Sequence, residues 1–303
     1  MMNRKSVEMI KEAYRPLKVT MKGNVEILQT TSGNVVIKEK KNNIRELYDY
    51  LNSRSFNAFP PLVDDSKEGV NIFSYVKDSN APKEQKAMDL IKLTALLHQK
   101  TTYYKDVTSD EYKKIYETLK DQITYYRYFF EEIYNESFHS VYPSPSEYLL
   151  LTNISKILAA LNFSEQKLEE WYEKVHELTR YRICQIHNHL CLEHMHDNCI
   201  LSWEKSKKDS PVLDLVNFYK NCYFDLNFSV LLEEYLRLCP WSEEEKNLFF
   251  ITISIPPKFE LKGSEFTKVK NIRVTLDYIY KTENLIRPYN TAEQEKQQRN
   301  FNQ

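Results

Sequence analysis

Short β-rich runs fill the first quarter of this chain, and long helical periods fill most of the rest. Two runs come first, Val25-Glu26-Ile27-Leu28-Gln29-Thr30 and Asn34-Val35-Val36-Ile37-Lys38, joined through Thr31-Ser32-Gly33. Gly33 supplies the positive φ that a tight connection needs, so a β-hairpin is expected. A short helix over Lys5 to Tyr14 precedes it and stops at Pro16, because the residue before a proline is pushed out of the helical region. Asn43 to Leu51 carries Ile44, Leu47, Tyr48 and Leu51 on one helical face. Runs at Phe59 to Val63 and Val70 to Val76 complete a small sheet.

From Lys83 the period is helical. Ala87, Leu90, Ile91, Thr94, Leu97 and His98 mark a helix over Lys83 to Gln99. A lone histidine on such a face is a hydrogen-bonded structural residue, which is the role expected of His98. Between Ser109 and Arg182 lie aromatic-rich helices broken at Pro143-Ser144-Pro145-Ser146, with Ser146 and Ser164 as N-caps. Tyr125, Tyr126, Tyr128, Phe129 and Phe130 form a band whose flanking Asp121, Glu131 and Glu132 are wrong for phosphates, so core packing is expected rather than nucleic-acid stacking. Further helices follow over 226–238, 242–255 and 267–287, and 290–303 is a polar tail with little reason to order.

Composition narrows the class. With 303 residues, 42% of them hydrophobic, and only 4 glycines, the chain can bury two lobes packed together. A net charge of −1 argues against a phosphate-backbone binder, so no nucleic-acid partner is expected. The first twenty residues lack an apolar core and no run approaches a membrane span, so neither a signal peptide nor a membrane association is expected, and residence is expected in the cytoplasm. Five cysteines without a paired framework suit reduced thiols.

The chemistry concentrates between Cys184 and Asn227, where four of the seven histidines lie within Cys184 to Cys199 and the next apolar run, Pro211-Val212-Leu213, ends on Asp214. One reading is a zinc site built from His187, His189, His194, His196 and neighbouring cysteines up to Cys199. No C-x-x-C pair or H-E-x-x-H helix supports it. The other reading is a phosphoryl-transfer layout: a histidine-led loop, a strand, a terminal carboxylate, with Lys38 closing the second strand and Glu46 one turn into the following helix.

The order His187, loop, Asp214, Tyr223-Phe224-Asp225-Leu226 resembles the C-terminal lobe of the aminoglycoside-phosphotransferase and choline-kinase group, and within it the spore-coat branch, the CotS/YutH-type proteins of spore-forming bacteria. The resemblance covers roughly residues 20 to 287. It implies an α+β, two-lobed protein-kinase-like fold, with an N-lobe over 1–77, a helical C-lobe over 78–289 holding the catalytic-loop-like segment 184–225, and the tail 290–303. Lys38, Glu46, Tyr75 and Val76 would then be nucleotide-binding, with ATP and Mg²⁺ the implied cofactors. In active members the loop reads H-x-D-x-x-x-x-N, the Asp acting as base and the Asn helping to hold Mg²⁺. Counting from His187 puts His189 at the base and His194 at the metal ligand; an alternative register puts Asn198 there. Asp214 is the remaining metal carboxylate, and Asp225 anchors the loop histidine architecturally. No glycine-rich loop accompanies these residues.

Loss of base, metal asparagine and glycine-rich loop together implies a degenerate, pseudokinase-like protein with a binding or assembly role, its partners other proteins such as spore-coat components, and a place in the mother cell or spore coat. The first alternative is an active phosphotransferase with Mg²⁺ on Asp214. The second is a zinc-binding protein.

Overall fold

The structure, a computed structural model, describes residues 4–301. The described residues form two compact units: the first takes residues up to 102, 184–209 and 237–239, and the second takes 103–183, 210–236 and those from 240 onward.

In the first unit a five-stranded antiparallel sheet has the order β1 (Lys18–Lys22), β2 (Val25–Thr30), β3 (Gly33–Glu39), β5 (Val70–Ser74), β4 (Leu62–Asp64). The expected hairpin is present as β2 and β3, with Gly33 at φ 130° in the connection. Strand β1 was not expected from the sequence. It is an edge strand with every residue exposed, so no buried face imposes an apolar period on it. A second tight turn through Gly23, at φ 59°, joins it to β2.

Alternation along the strands decides what each face does. Leu28 and Ile37 point one way and bury against Val7 and Ile10 of helix α1 (Arg4–Tyr14), together with Val70 and Ile72. Val36 and Lys38, one residue to either side of Ile37, therefore face the other way, into a cavity. Helix α2 (Ile44–Ser53) buries Ile44, Tyr48 and Leu51, as its period requires. Helix α3 (Lys83–Thr101) buries Leu90, Ile91, Leu97 and His98. Its last turn presents Thr101, whose hydroxyl accepts the Gln185 N–H at 3.0 Å and so fixes the end of strand β7 (Arg180–Ile186) that carries the histidine-rich segment. Strand β10 (Lys207–Asp209) pairs with residues 184–186 of β7.

The second unit is helical, with the short strand β6 (Tyr103–Asp106) on residues 180–183 of β7. Helix α4 (Ser109–Phe138) packs on α5 (Pro145–Val175), which in turn packs on α8 (Glu243–Ser254) and α9 (Glu265–Phe301). Helix α6 (Val212–Cys222) packs on α8, and α7 (Phe228–Leu238) completes the helices. Tyr219 lies at the centre of an aromatic cluster with Phe228, Phe249 and Tyr278, and its hydroxyl meets the Thr282 hydroxyl at 2.7 Å.

Several sequence expectations are corrected here. The N-cap of α5 is Ser144, in a reciprocal capping box with Glu147 and with Pro145 at the first helical position; Ser146 lies inside the first turn. Ser164 is no cap: the helix runs straight through it, its hydroxyl donating to the Ala160 carbonyl at 3.0 Å, a back-bond that lets serine sit mid-helix. The aromatic band of α4 is only partly core, since Phe130 is fully buried whereas Tyr125 and Tyr128 are mostly exposed. Helix α9 does not stop near residue 287 but continues through Pro288 to Phe301. Replacing the cap, Ser144→Ala, is expected to destabilise the second unit by about 1 kcal/mol, read as a lower denaturant midpoint at unchanged slope.

Candidate functional site

The segment that carries the histidines is folded irregularly and tightly. A 3₁₀ turn over Leu192–His194 leads into a two-residue hairpin, β8 (Met195–His196) and β9 (Cys199–Ile200), followed by a second 3₁₀ turn over Trp203–Lys205. Of the five non-glycine residues at positive φ among the described residues, three lie here: Asn188 at 59°, Asp197 at 35° and Ser202 at 65°. Such conformations persist only where surrounding contacts over-determine them. Those contacts are visible: the Trp203 Nε1–H donates to the Ile200 carbonyl at 2.6 Å, the Ser206 hydroxyl to the Ile186 carbonyl at 2.6 Å, and the Asn42 amide to the Glu204 carbonyl at 2.6 Å.

A cavity of about 370 Å³ lies within the first unit, between this segment and the inner face of the sheet. Val25, Ile27 and Val36 give it apolar walls, Tyr75 and Val76 form one edge, and Lys38, Ser202 and Glu204 form a polar end. Lys38 and the pair Tyr75 and Val76 are thus on one cavity, which Glu46 does not line. The Tyr75 N–H donates to the Asn34 carbonyl at 3.1 Å, and the Val76 carbonyl lies 3.2 Å from His196 Nδ1.

The partner of Lys38 is not the expected one. Its ammonium donates to Glu204 Oε1 at 2.9 Å and to the Ser202 hydroxyl at 3.0 Å. Glu46 instead accepts from the Asn43 amide in the exposed first turn of α2, so the Lys38–Glu46 pair does not form. The carboxylate of Glu204 reaches Lys38 because the left-handed Ser202 turns the chain out of β9 and directs the following turn back towards β3. Burial pushes the Glu204 carboxyl up, but the Lys38 charge and hydrogen bond outweigh it and hold the group below its ordinary value of 4.5. A depressed folded-state value means stability that is present above 4.5 and lost as pH falls through the folded value. Glu204→Gln is therefore expected to lower the stability of the first unit by about 1–3 kcal/mol at pH 7, between the limits for exposed and buried pairs. The deficit against wild type should shrink as pH drops below 4.5, as followed by thermal melts across pH.

The three loop histidines lie together but are not arranged as ligands. The rings of His187 and His194 are 5.7 Å apart, and those of His189 and His194 are 4.8 Å apart. His187 is fully buried, with Nε2 at 2.7 Å from the Leu201 carbonyl and its ring edge-on to Trp203. His194 Nδ1 meets the His189 carbonyl at 2.9 Å. Burial drives His194 down to about 4, against the pull of the His189 carbonyl, and the neighbouring His187, His189 and Lys38 add to the shift. His189 is lowered as well, first by burial and then by Lys205. Both are neutral imidazoles near pH 7.

Among the described residues no group of three His, Cys, Asp or Glu side chains converges as a metal-ligand set. The described residues thus bring no zinc-ligand set together, and one ring nitrogen of each of His187, His194 and His196 lies at a backbone carbonyl. Mg²⁺ fits no better: it needs oxygen ligands in near-octahedral array, and the loop offers imidazoles. Asn198, the alternative metal ligand, sits exposed in the β8–β9 turn. Asp214 does not end a strand. It is buried in the first turn of α6, in the second unit. Asp225 follows α6 and is exposed, and Nε2 of the loop histidine His187 meets the Leu201 carbonyl. Sequence reading missed Ser202 and Glu204, which lie between the histidine-rich segment and Pro211; the Trp203-Glu204 pair after the apolar run Cys199-Ile200-Leu201 was the available signal.

No sequence family model matches the chain, and no curated protein matches it in sequence. Solved structures do. An aminoglycoside phosphotransferase from Alicyclobacillus acidocaldarius superposes with a TM-score of 0.63 at 10% identity, covering 90% of this chain and 92% of that one. The AMP-bound complex of spectinomycin phosphotransferase APH(9)-Ia gives a TM-score of 0.53 at 11% identity over 94% of this chain and 90% of that one. The chain therefore has the α+β, protein-kinase-like fold of the aminoglycoside phosphotransferases. Identity this low establishes the fold and leaves activity to the site. Among the described residues no helix is long and apolar enough to cross a membrane.

Proposed function

We propose that this chain is a pseudokinase-like protein: the cavity beside Lys38 serves binding, and the protein acts by association with other proteins rather than by phosphoryl transfer. The observation that carries this reading is the closed polar end of the cavity. Lys38, the cation that would meet a nucleotide's phosphates, is engaged by Glu204 and Ser202, and the loop positions for base and metal ligand hold two neutral, half-buried imidazoles. Phosphoryl transfer rests on positioning and on metal electrostatics around developing charge. A neutral imidazole can accept a proton but supplies no anion for a hard cation.

The test is ATP hydrolysis by the wild-type chain with Mg²⁺, beside Asp214→Asn. Both are expected at background. Turnover in the wild type that disappears in Asp214→Asn would establish an active phosphotransferase using that carboxylate. The finer role, assembly into a spore coat from the mother cell, is carried by the sequence resemblance of the loop-to-helix segment. A fluorescent fusion should follow the forespore surface in a sporulating host; a diffuse signal throughout sporulation sinks it.

A further inference from the structure

Strand β1 is the open edge of the sheet in the first unit. It pairs with β2 on one side, and among the described residues no strand pairs with it on the other. Such an edge presents a row of main-chain N–H and C=O groups to whatever lies alongside, a template for one more strand. Its sequence, Lys18-Val19-Thr20-Met21-Lys22, sends side chains alternately to the two faces. Val19 stands opposite Leu28 and Met21 opposite Glu26, so both lie on the face where α1 packs, with Val7 and Ile10 on Leu28 and Lys11 paired to Glu26. The helix leaves the edge itself uncovered: Val19 is 41% and Met21 57% exposed, and Leu17, just ahead of the strand, is more exposed still. Two neighbouring apolar side chains beside open main-chain groups form a shelf that a companion strand would cover.

Charge decides which strand that is. Lys18, Thr20 and Lys22 occupy the other face, and both ammonium groups are exposed with no carboxylate in ion-pair reach among the described residues. The Asp78 carboxylate, which feels the Lys22 charge, accepts its hydrogen bond from Lys86. A second copy of the chain pairing antiparallel about Thr20 would set Lys18 against Lys22 twice, and like charges directly opposite one another destabilise a strand pair. Edge lysines protect a sheet from its own kind in this way. A strand with carboxylates at the two matching positions turns both contacts into attractions. Because β1 reads alike in both directions by residue type, the pattern it selects (acidic, apolar, any residue, apolar, acidic) is the same for a parallel and an antiparallel companion.

We propose that β1 docks an extended segment of a partner protein, which adds a strand to this edge with acidic residues opposite Lys18 and Lys22 and apolar residues over Val19 and Met21. This gives the association proposed above a surface and a partner chemistry, and it rests on that reading for its biological role alone. Binding is measured without nucleotide, so ATP turnover would sink the pseudokinase reading and leave the docking result standing, and a failure to dock would do the reverse.

The probe is a fluorescein-labelled peptide with the core Glu-Val-Thr-Val-Glu between Gly-Ser flanks, titrated with the full-length protein at low ionic strength and followed by anisotropy. Saturable binding is expected. It should weaken at least about fivefold when both glutamates become glutamine, the effect of two cross-strand charge pairs, and disappear when both become lysine. Lys18→Glu combined with Lys22→Glu should reverse the preference, taking the lysine peptide and losing the glutamate one. N-methylation separates strand pairing from charge attraction. Alternate amides of an added strand face β1, so methylating one alternate set should abolish binding and methylating the other should preserve it. The proposal is overturned if the glutamate peptide does not saturate, if the glutamate and glutamine peptides bind equally, or if the two methylated sets behave alike. A wild-type dimer in sedimentation that the peptide dissociates would also overturn it, giving the edge to a second copy. Should the double variant fail to fold, the wild-type peptide series decides.

Discussion

Trp203→Ala is expected to destabilise the first unit by about 3–5 kcal/mol, the range for removing a buried aromatic from a packed core. Trp203 is 2% exposed and makes edge contacts with Phe56, Phe59 and His187 at ring separations of 5.9, 6.3 and 5.0 Å. Its N–H also ties the turn to Ile200, so truncation leaves both a cavity and an orphaned carbonyl. Because it follows the left-handed Ser202 directly, its loss should release the turn that brings Glu204 to Lys38. Calorimetry should show the transition of the first unit lowered by on the order of 10 °C, at about 2–4 °C per kcal/mol for a domain of this size. Trp203→Phe, which keeps most of the volume, should lose far less; equal losses in the two variants would remove packing as the cause.

Restoring oxygen ligands should have the opposite kind of effect, a gain. In the wild type, ATP is expected to shift the melting temperature equally with and without Mg²⁺, because no converging oxygen set is present at the loop. His194→Asn combined with Ser202→Asp places two oxygen donors at the polar end of the cavity, beside Lys38. Aspartate tolerates the left-handed backbone at position 202 better than most residues, so the substitution does not fight the turn. The double variant is expected to bind ADP at least about tenfold more tightly with Mg²⁺ than without it, about 1.4 kcal/mol of coupling, measured by calorimetric titration. Wild-type protein that already shows this Mg²⁺ dependence would refute the assignment of the closed polar end.

Those two outcomes separate what the segment 184–209 contributes as a structural unit from what its chemistry allows. The fold is that of phosphotransferases, and fold alone does not carry activity. What differs here is local: imidazoles directed at carbonyls, and a lysine already occupied.

Much of the architecture was encoded locally and could be read without the structure. Helix α2 follows from Ile44, Tyr48 and Leu51 on one face, the β2–β3 hairpin from two β-rich runs around Gly33, and α8 from the helical stretch over 242–255. Each of these signals spans a few residues, and its energy is settled within one turn of helix or one strand pair. The site depended on contacts that no local pattern contains. Lys38 could be placed at a strand end from sequence, but its partner lies 166 residues further on, and Glu46, in the first turn of the next helix, was the nearer guess. Asp214 looked like the end of a strand because Val212 and Leu213 are equally compatible with a short buried strand and with the first turn of a buried helix; packing of α6 on α8 decided it. Ser164 carries the residue type of a cap, and only its back-bond to Ala160 within an unbroken helix shows that it is not one. Periodicity and caps are properties of a segment, whereas the direction in which an irregular turn such as Ser202-Trp203-Glu204 points its side chains is fixed by what it packs against, and that information exists only in the assembled tertiary structure.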